Sequence, residues 1–134
     1  SMSRVEILGG ISEELAGNFA TNLGATPSFN CAQSTCHCGI ADQNITQINV
    51  TGVDSASNRV TTLQLYLSCS AARTIADSIS INGGSAQDLR WSGNKAGTGG
   101  TTSITTTDYI SIVTILIVRD AGTYRAFGFA THSH

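Results

Sequence analysis

The sequence predicts an all-β domain, an antiparallel β-sandwich or jelly roll of about seven to eight strands. Three observations predict it. From residue 45 onward apolar residues recur with period two, most regularly where Leu63, Leu65, Leu67 and Cys69 alternate with Gln64, Tyr66 and Ser68. Clusters rich in Gly, Asn and Asp punctuate the chain between these short segments. No alternation of strand-length and helix-length segments is visible, so a βαβ architecture is not expected. The composition agrees. Hydrophobic residues make up 40% of the 134, yet aromatics only 6%, so the core must be aliphatic and small.

Each segment can be justified in order. Ser1-Met2 reads as a scar of tag removal, which leaves residues 3–134 as a single β domain. Val5, Ile7 and Leu8 suit a short strand before Gly9-Gly10. Ser12 is placed to cap one helical turn over Ile11–Leu15, with Glu13 and Glu14 in its first turn. Asn18–Leu23 is irregular or a strand, and residues 24–44, with the lone Pro27, read as a loop-rich stretch. Ile45, Ile48 and Val50 mark a strand, and residues 52–58 a turn. The alternation at 63–69 directs Cys69 toward the core. Past a turn at Ala71–Arg73, the residues Ile75, Ile79 and Ile81 mark one further strand, closed by Asn82-Gly83-Gly84. Leu89 and Trp91 flank Arg90, and a glycine-rich loop follows at 93–100. Thr101–Thr107 is polar and β-prone. Tyr109–Val118 is the most hydrophobic segment and reads as a central strand buried on both faces. Asp120–Thr123 forms a hairpin turn into a return strand over Tyr124–Ala130, with Arg125, Phe127 and Phe129 sharing one face.

Charge narrows the function. Only 12% of residues are charged, about half the usual share, and the net charge is −2. That excludes a basic nucleic-acid surface, a highly charged disordered chain and a coiled coil. The longest apolar run, Ile110–Val118, is far short of the ~20 residues of a spanning helix, so no membrane insertion is expected.

The cysteines are Cys31, Cys36, Cys38 and Cys69, three of them in one cluster around His37. Structural or free thiols, two disulfides in any of three connectivities, and a zinc site all remain open. His37, His132 and His134 are further potential ligands, and three terminal copies of His132-Ser-His134 could meet on a trimer axis. The cysteines are taken as structural, with no metal or cofactor expected.

The second half of the chain carries a family likeness. Leu89-Arg-Trp91-Ser-Gly93 precedes a Gly/Thr linker. Then come Ile104-Thr-Thr-Thr-Asp108-Tyr-Ile110, Ile112-Val-Thr-Ile-Leu116 and Asp120-Ala-Gly-Thr-Tyr124-Arg-Ala-Phe-Gly128. This succession is similar to C-terminal segments of bacteriophage tail-fibre and other virion proteins, with Asn94 standing where a second glycine is expected. The resemblance implies an all-β virion domain that assembles, with a trimer favoured, and contacts a host receptor or surface glycan.

Trp91, beside the glycine loop, is either a sugar-stacking platform or a core anchor. Asn94, Asp108 and Tyr109 could join it in binding a glycan. No G-x-S-x-G elbow or paired acidic constellation is present, so the chain is not expected to be an enzyme. Asn44-Ile-Thr46 and Asn49-Val-Thr51 match glycosylation sequons, which would matter in a secreted protein. The expected function is thus a fibre, spike or tail-type viral module located in the virion. The alternative is a secreted lectin-like β-prism or sandwich, because Val5-Glu-Ile-Leu-Gly-Gly10 resembles the opening of jacalin-related lectins.

Overall fold

The computed structural model describes residues 12–92, 100–105 and 110–132. The expected strand at 5–8, the helical-turn start at Ile11 and the loop at 93–99 lie outside these residues. The described chain is all β. Its strands are β1 (Leu15–Asn22), β2 (Ser28–Asn30), β3 (Cys36–Ile40), β4 (Ile48–Thr51), β5 (Arg59–Ser68), β6 (Arg73–Ile75), β7 (Ser78–Ile81), β8 (Gln87–Trp91), β9 (Thr102–Ile104), β10 (Ser111–Asp120) and β11 (Thr123–His132).

Nine of these form one curled sheet in the order β1-β3-β5-β10-β11-β8-β7-β4-β2, and β6 pairs with β9 beside it. The prediction of antiparallel pairing is corrected. β1–β3, β3–β5, β2–β4, β4–β7 and β8–β11 all run parallel. The cause is the winding of the chain. Successive strands alternate between two arms of the sheet: β1, β3 and β5 stack in one, and β2, β4 and β7 in the other. Each turn of chain returns in the same direction on top of the last, as in a solenoid. Leu15 lies beside Cys36, and Ser28 beside Asn49, so this first coil repeats after 21 residues. The long antiparallel hairpin β10–β11 then closes the stack against β5. β8 turns the corner, bonded to β11 on one side and β7 on the other.

Several local expectations change with this winding. Loop-rich residues 24–44 contain β2 and β3, whose three and five residues are too short to show a period. Residues 12–14 are irregular rather than a helical turn, and β1 begins at Leu15. The expected strand through Ile75, Ile79 and Ile81 is two strands, β6 and β7, in different sheets. Ile75 nonetheless remains in the core through a bridge to Ile45. The β10 segment is not buried on both faces. Ser111, Val113, Ile115 and Ile117 are buried, whereas Ile112, Thr114, Leu116 and Val118 are half-covered.

One aliphatic core joins the two arms. Leu63, Leu65, Leu67, Val113, Ile115 and Ile117 face Ile48, Val50, Ile79 and Ile81 across it. Thirteen Leu, Ile and Val side chains among the described residues are less than 2% exposed. Full burial of one such side chain contributes about 1.5–3 kcal/mol, so this cluster dominates the hydrophobic stabilisation. Cys69 lies just past the end of β5 and packs against it half-buried. The β10–β11 turn uses Ala121 (φ 47°) and Gly122 (φ 89°), two left-handed residues as a type I′ hairpin requires. Asn82 (φ 52°) closes β7. Its side-chain amide donates to Val53 O (2.9 Å), and its oxygen accepts from Val53 N (3.1 Å).

Candidate interaction face

The three long strands β5, β10 and β11, with β3 and β1 beside them, make an arm with one inward and one outward face. Direct partners across a ladder point to the same side. The register therefore lists the outward rows. Val60, Val118 and Arg125 form the first, and Thr62, Leu116 and Phe127 the second. Leu15, Cys36, Gln64, Thr114 and Phe129 form the third. Gly17, Cys38, Tyr66 and Ile112 form the fourth. Arg125 is the only residue in these four rows with a full charge at neutral pH, and Asp120, opposite Thr123, follows at the hairpin end. A solvated sheet face ordinarily carries Lys and Glu at such positions.

Large apolar side chains remain open to solvent on this face. Val60 is 61% exposed, Phe129 42%, Leu15 41% and Phe19 41%. Phe19 belongs to the stretch of β1 where the ladder to β3 breaks register between Gly17 and Asn22. Gly17 makes the break possible. Its φ is +89°, and a Cβ there would sit 2.6 Å from the Cys38 carbonyl oxygen.

A shallow hollow of about 230 Å³ opens on the β1 side of the face, lined by Glu13, Leu15, Phe19, Cys36 and Tyr66. Its polar members are held by the β3 entry. Thr35 donates to Glu13 Oε1 through its backbone N–H (2.9 Å) and its hydroxyl. These bonds hold the Glu13 carboxyl below its ordinary pKa. The Cys36 thiol, 3.5 Å from Glu13 Oε2, donates to the same carboxylate. Burial, and then Glu13 itself, push the Cys36 pKa up. Cys36 is therefore a neutral thiol at pH 7 and a poor nucleophile. Tyr66 donates its hydroxyl to Gln64 Oε1 (2.8 Å), and burial raises its pKa as well.

The other cysteines are dispersed by the fold. None of the four forms a disulfide. Cys38 is buried at the outward side of β3, and Cys31 packs half-buried against the core. Burial raises the pKa of both thiols. His37 points the opposite way from Cys36 and Cys38, because neighbours in a strand alternate. Its Nε2–H donates to Ser34 O (2.7 Å), and its ring meets Phe29 edge-on at 5.3 Å. No three His, Cys, Asp or Glu side chains converge as a metal site among the described residues.

Trp91 takes the core position of the two the sequence offered. It is 5% exposed, donates its indole N–H to Ala76 O (3.1 Å) and lies flat against Gly128. Asn94, Asp108, Tyr109 and His134 lie outside the described residues, as does the side chain of His132. No helix among the described residues is long and apolar enough to cross a membrane. The outward rows themselves were readable only in part: the shared face of Arg125, Phe127 and Phe129 follows from alternation, but its continuation across β5, β3 and β1 needs the pairing.

Comparison with family models, with curated proteins and with solved structures finds no match to this chain.

Proposed function

We propose that this chain is a structural module of a phage virion, of the fibre, spike or tail type. It self-associates, with a trimer favoured, and presents its assembled surface to a host receptor. One observation carries the reading. From Val60 to Ser68 and from Ile112 to Val118 the outward positions of β5 and β10 are Val60, Thr62, Gln64, Tyr66, Ser68 and Ile112, Thr114, Leu116, Val118, all uncharged at neutral pH, and the first charge, Asp120, comes only at the hairpin end. Depletion of charge with retention of apolar and aromatic side chains characterises the centre of subunit interfaces. The coil winding supports the same role, since stacked coils make a rigid, extendable body. The likeness of residues 89–128 to tail-fibre segments adds the virion context. We also read the curl of the sheet as a sandwich-like pair of layers closed over one core, and the module as having no catalytic activity.

Light scattering on the purified chain between micromolar and millimolar concentration tests the proposal. A mass of three chains, or of another closed assembly, is the expected result. A mass of 13.9 kDa throughout would remove it.

A further inference from the structure

The exposed large hydrophobics are not scattered. All four among the described residues, Leu15, Phe19, Val60 and Phe129, lie on the outer side of the β1-β3-β5-β10-β11 arm. Half-covered Ile112, Leu116, Val118 and Phe127 fill the rows between them. Apolar patches of this continuity mark interaction sites rather than ordinary surface. We infer that the outer face of this arm is the contact surface between copies of this chain, so that a second copy is its occupant.

Area and polarity favour that occupant. Three ten-residue strands at ~4.8 Å spacing and ~3.3 Å per residue cover about 14 Å by 33 Å. With β3 and β1 the face reaches about 700 Å². A stable interface takes about 800 Å² from each partner, so one copy of this face supplies nearly the whole requirement. The charges on it lie at its margins: Arg125 and its partner Asp120 stand at the hairpin end with access to water, and the Glu13 carboxylate on the β1 side keeps its bonds from Thr35 and Cys36. The hydroxyls of Thr62 and Thr114 and the amide of Gln64 offer both donors and acceptors, which suits a face that must match itself. The break in β1 adds relief: Phe19 stands beside the hollow between Glu13 and Tyr66. This inference rests on the self-association proposed above, and goes further by naming the surface.

The test is the double variant Val60→Glu with Phe129→Glu, compared with Ser85→Glu in the exposed turn after β7. Both positions of the double variant are open in the single chain, so its fold should survive, as checked by circular dichroism and thermal unfolding. Sedimentation equilibrium is expected to show assembled wild type and assembled S85E, and a single-chain mass for V60E/F129E. An assembled V60E/F129E would overturn this inference while leaving self-association intact. A wild type that stays a single chain at millimolar concentration would overturn both. Should the double variant fail to fold, hydroxyl-radical footprinting of the unmodified protein decides. Phe127, Phe129 and Leu116 are expected to lose at least threefold in oxidation rate on going from dilute to concentrated solution. Unchanged rates there would refute the inference.

Discussion

Replacing Gly128 by alanine should destabilise the fold through one contact. Gly128 sits in β11 opposite Ile115 and beside Trp91 of β8. A Cβ built on it falls 2.5 Å from both Cε3 and Cζ3 of the indole. Carbon atoms at rest stand about 3.5–4.0 Å apart, so the ring must retreat by about 1 Å. It has little room to do so. The indole is 5% exposed, and its N–H is tied to Ala76 O at 3.1 Å. Overpacking of this kind costs about 1–3 kcal/mol, and straining the hydrogen bond adds up to about 1. Alanine returns about 0.5 kcal/mol, since glycine in a strand loses more chain entropy. The net is about 2 kcal/mol of destabilisation, or about 6–10 °C in Tm for a chain of this length. Urea and thermal unfolding followed by the single tryptophan measure it directly. In a double-mutant cycle with Trp91→Leu, the pair should cost less than the sum of the single changes, because leucine vacates the contested space. A Tm for G128A equal to or above wild type would refute the reasoning, and so would strict additivity in the cycle.

Three further outcomes follow from the geometry. Asn82→Ala should lose about 2 kcal/mol in urea unfolding, and Asn82→Gly less, because alanine forfeits both bonds to Val53 and also the left-handed backbone that glycine tolerates. Cys31, Cys36 and Cys38 all have raised pKa values on folding; the native state then holds its protons longer, so the urea midpoint should fall as pH rises above the unfolded thiol value of about 8.5, and a midpoint that climbs there would contradict the assignment. Glu13→Ala should speed amide exchange at Thr35 at pH 6, with the wild type approaching the same rate as acid protonates the carboxylate below its lowered pKa.

The β-rich class, strands at 63–69 and 109–118, and the hairpin between β10 and β11 were legible in the sequence, because the alternation at 63–69, the β-branched apolar run at 109–118 and the two-residue turn are local signals, although the period of β10 was missed. Most of the N-terminal half was not, the strand through Ile48 and Val50 excepted. β2 and β3 are too short to alternate visibly, and β3 reads Cys-His-Cys-Gly-Ile, with an inward histidine where a hydrophobe is expected. His37 satisfies that position only because Ser34 and Phe29 receive it. The coil repeat was equally hidden. Leu15-Ala-Gly lies over Cys36-His-Cys without sharing a residue, and the next coil is 28 residues on, from Cys36 to Gln64. Parallel pairing carries no local signature, so alternation alone predicted the commoner antiparallel form. Likewise, alternation placed Phe127 and Phe129 together, but joining them to Val60 and Leu15 required the sheet order.

The position of β5 between β3 and β10 has a consequence for synthesis. Its β3 side can pair as soon as it is made, whereas the partner of Leu67 on the other side is Ser111, 44 residues later. At about 5–20 residues per second, a ribosome leaves that edge open for roughly two to nine seconds. The waiting segment is Leu63-Gln-Leu-Tyr-Leu67, β-prone and uncharged, the kind that joins a neighbouring nascent chain. Soluble yield in a cell should therefore depend on how quickly the last third of the chain arrives, and slow codons placed between 70 and 110 should lower it without changing the finished protein.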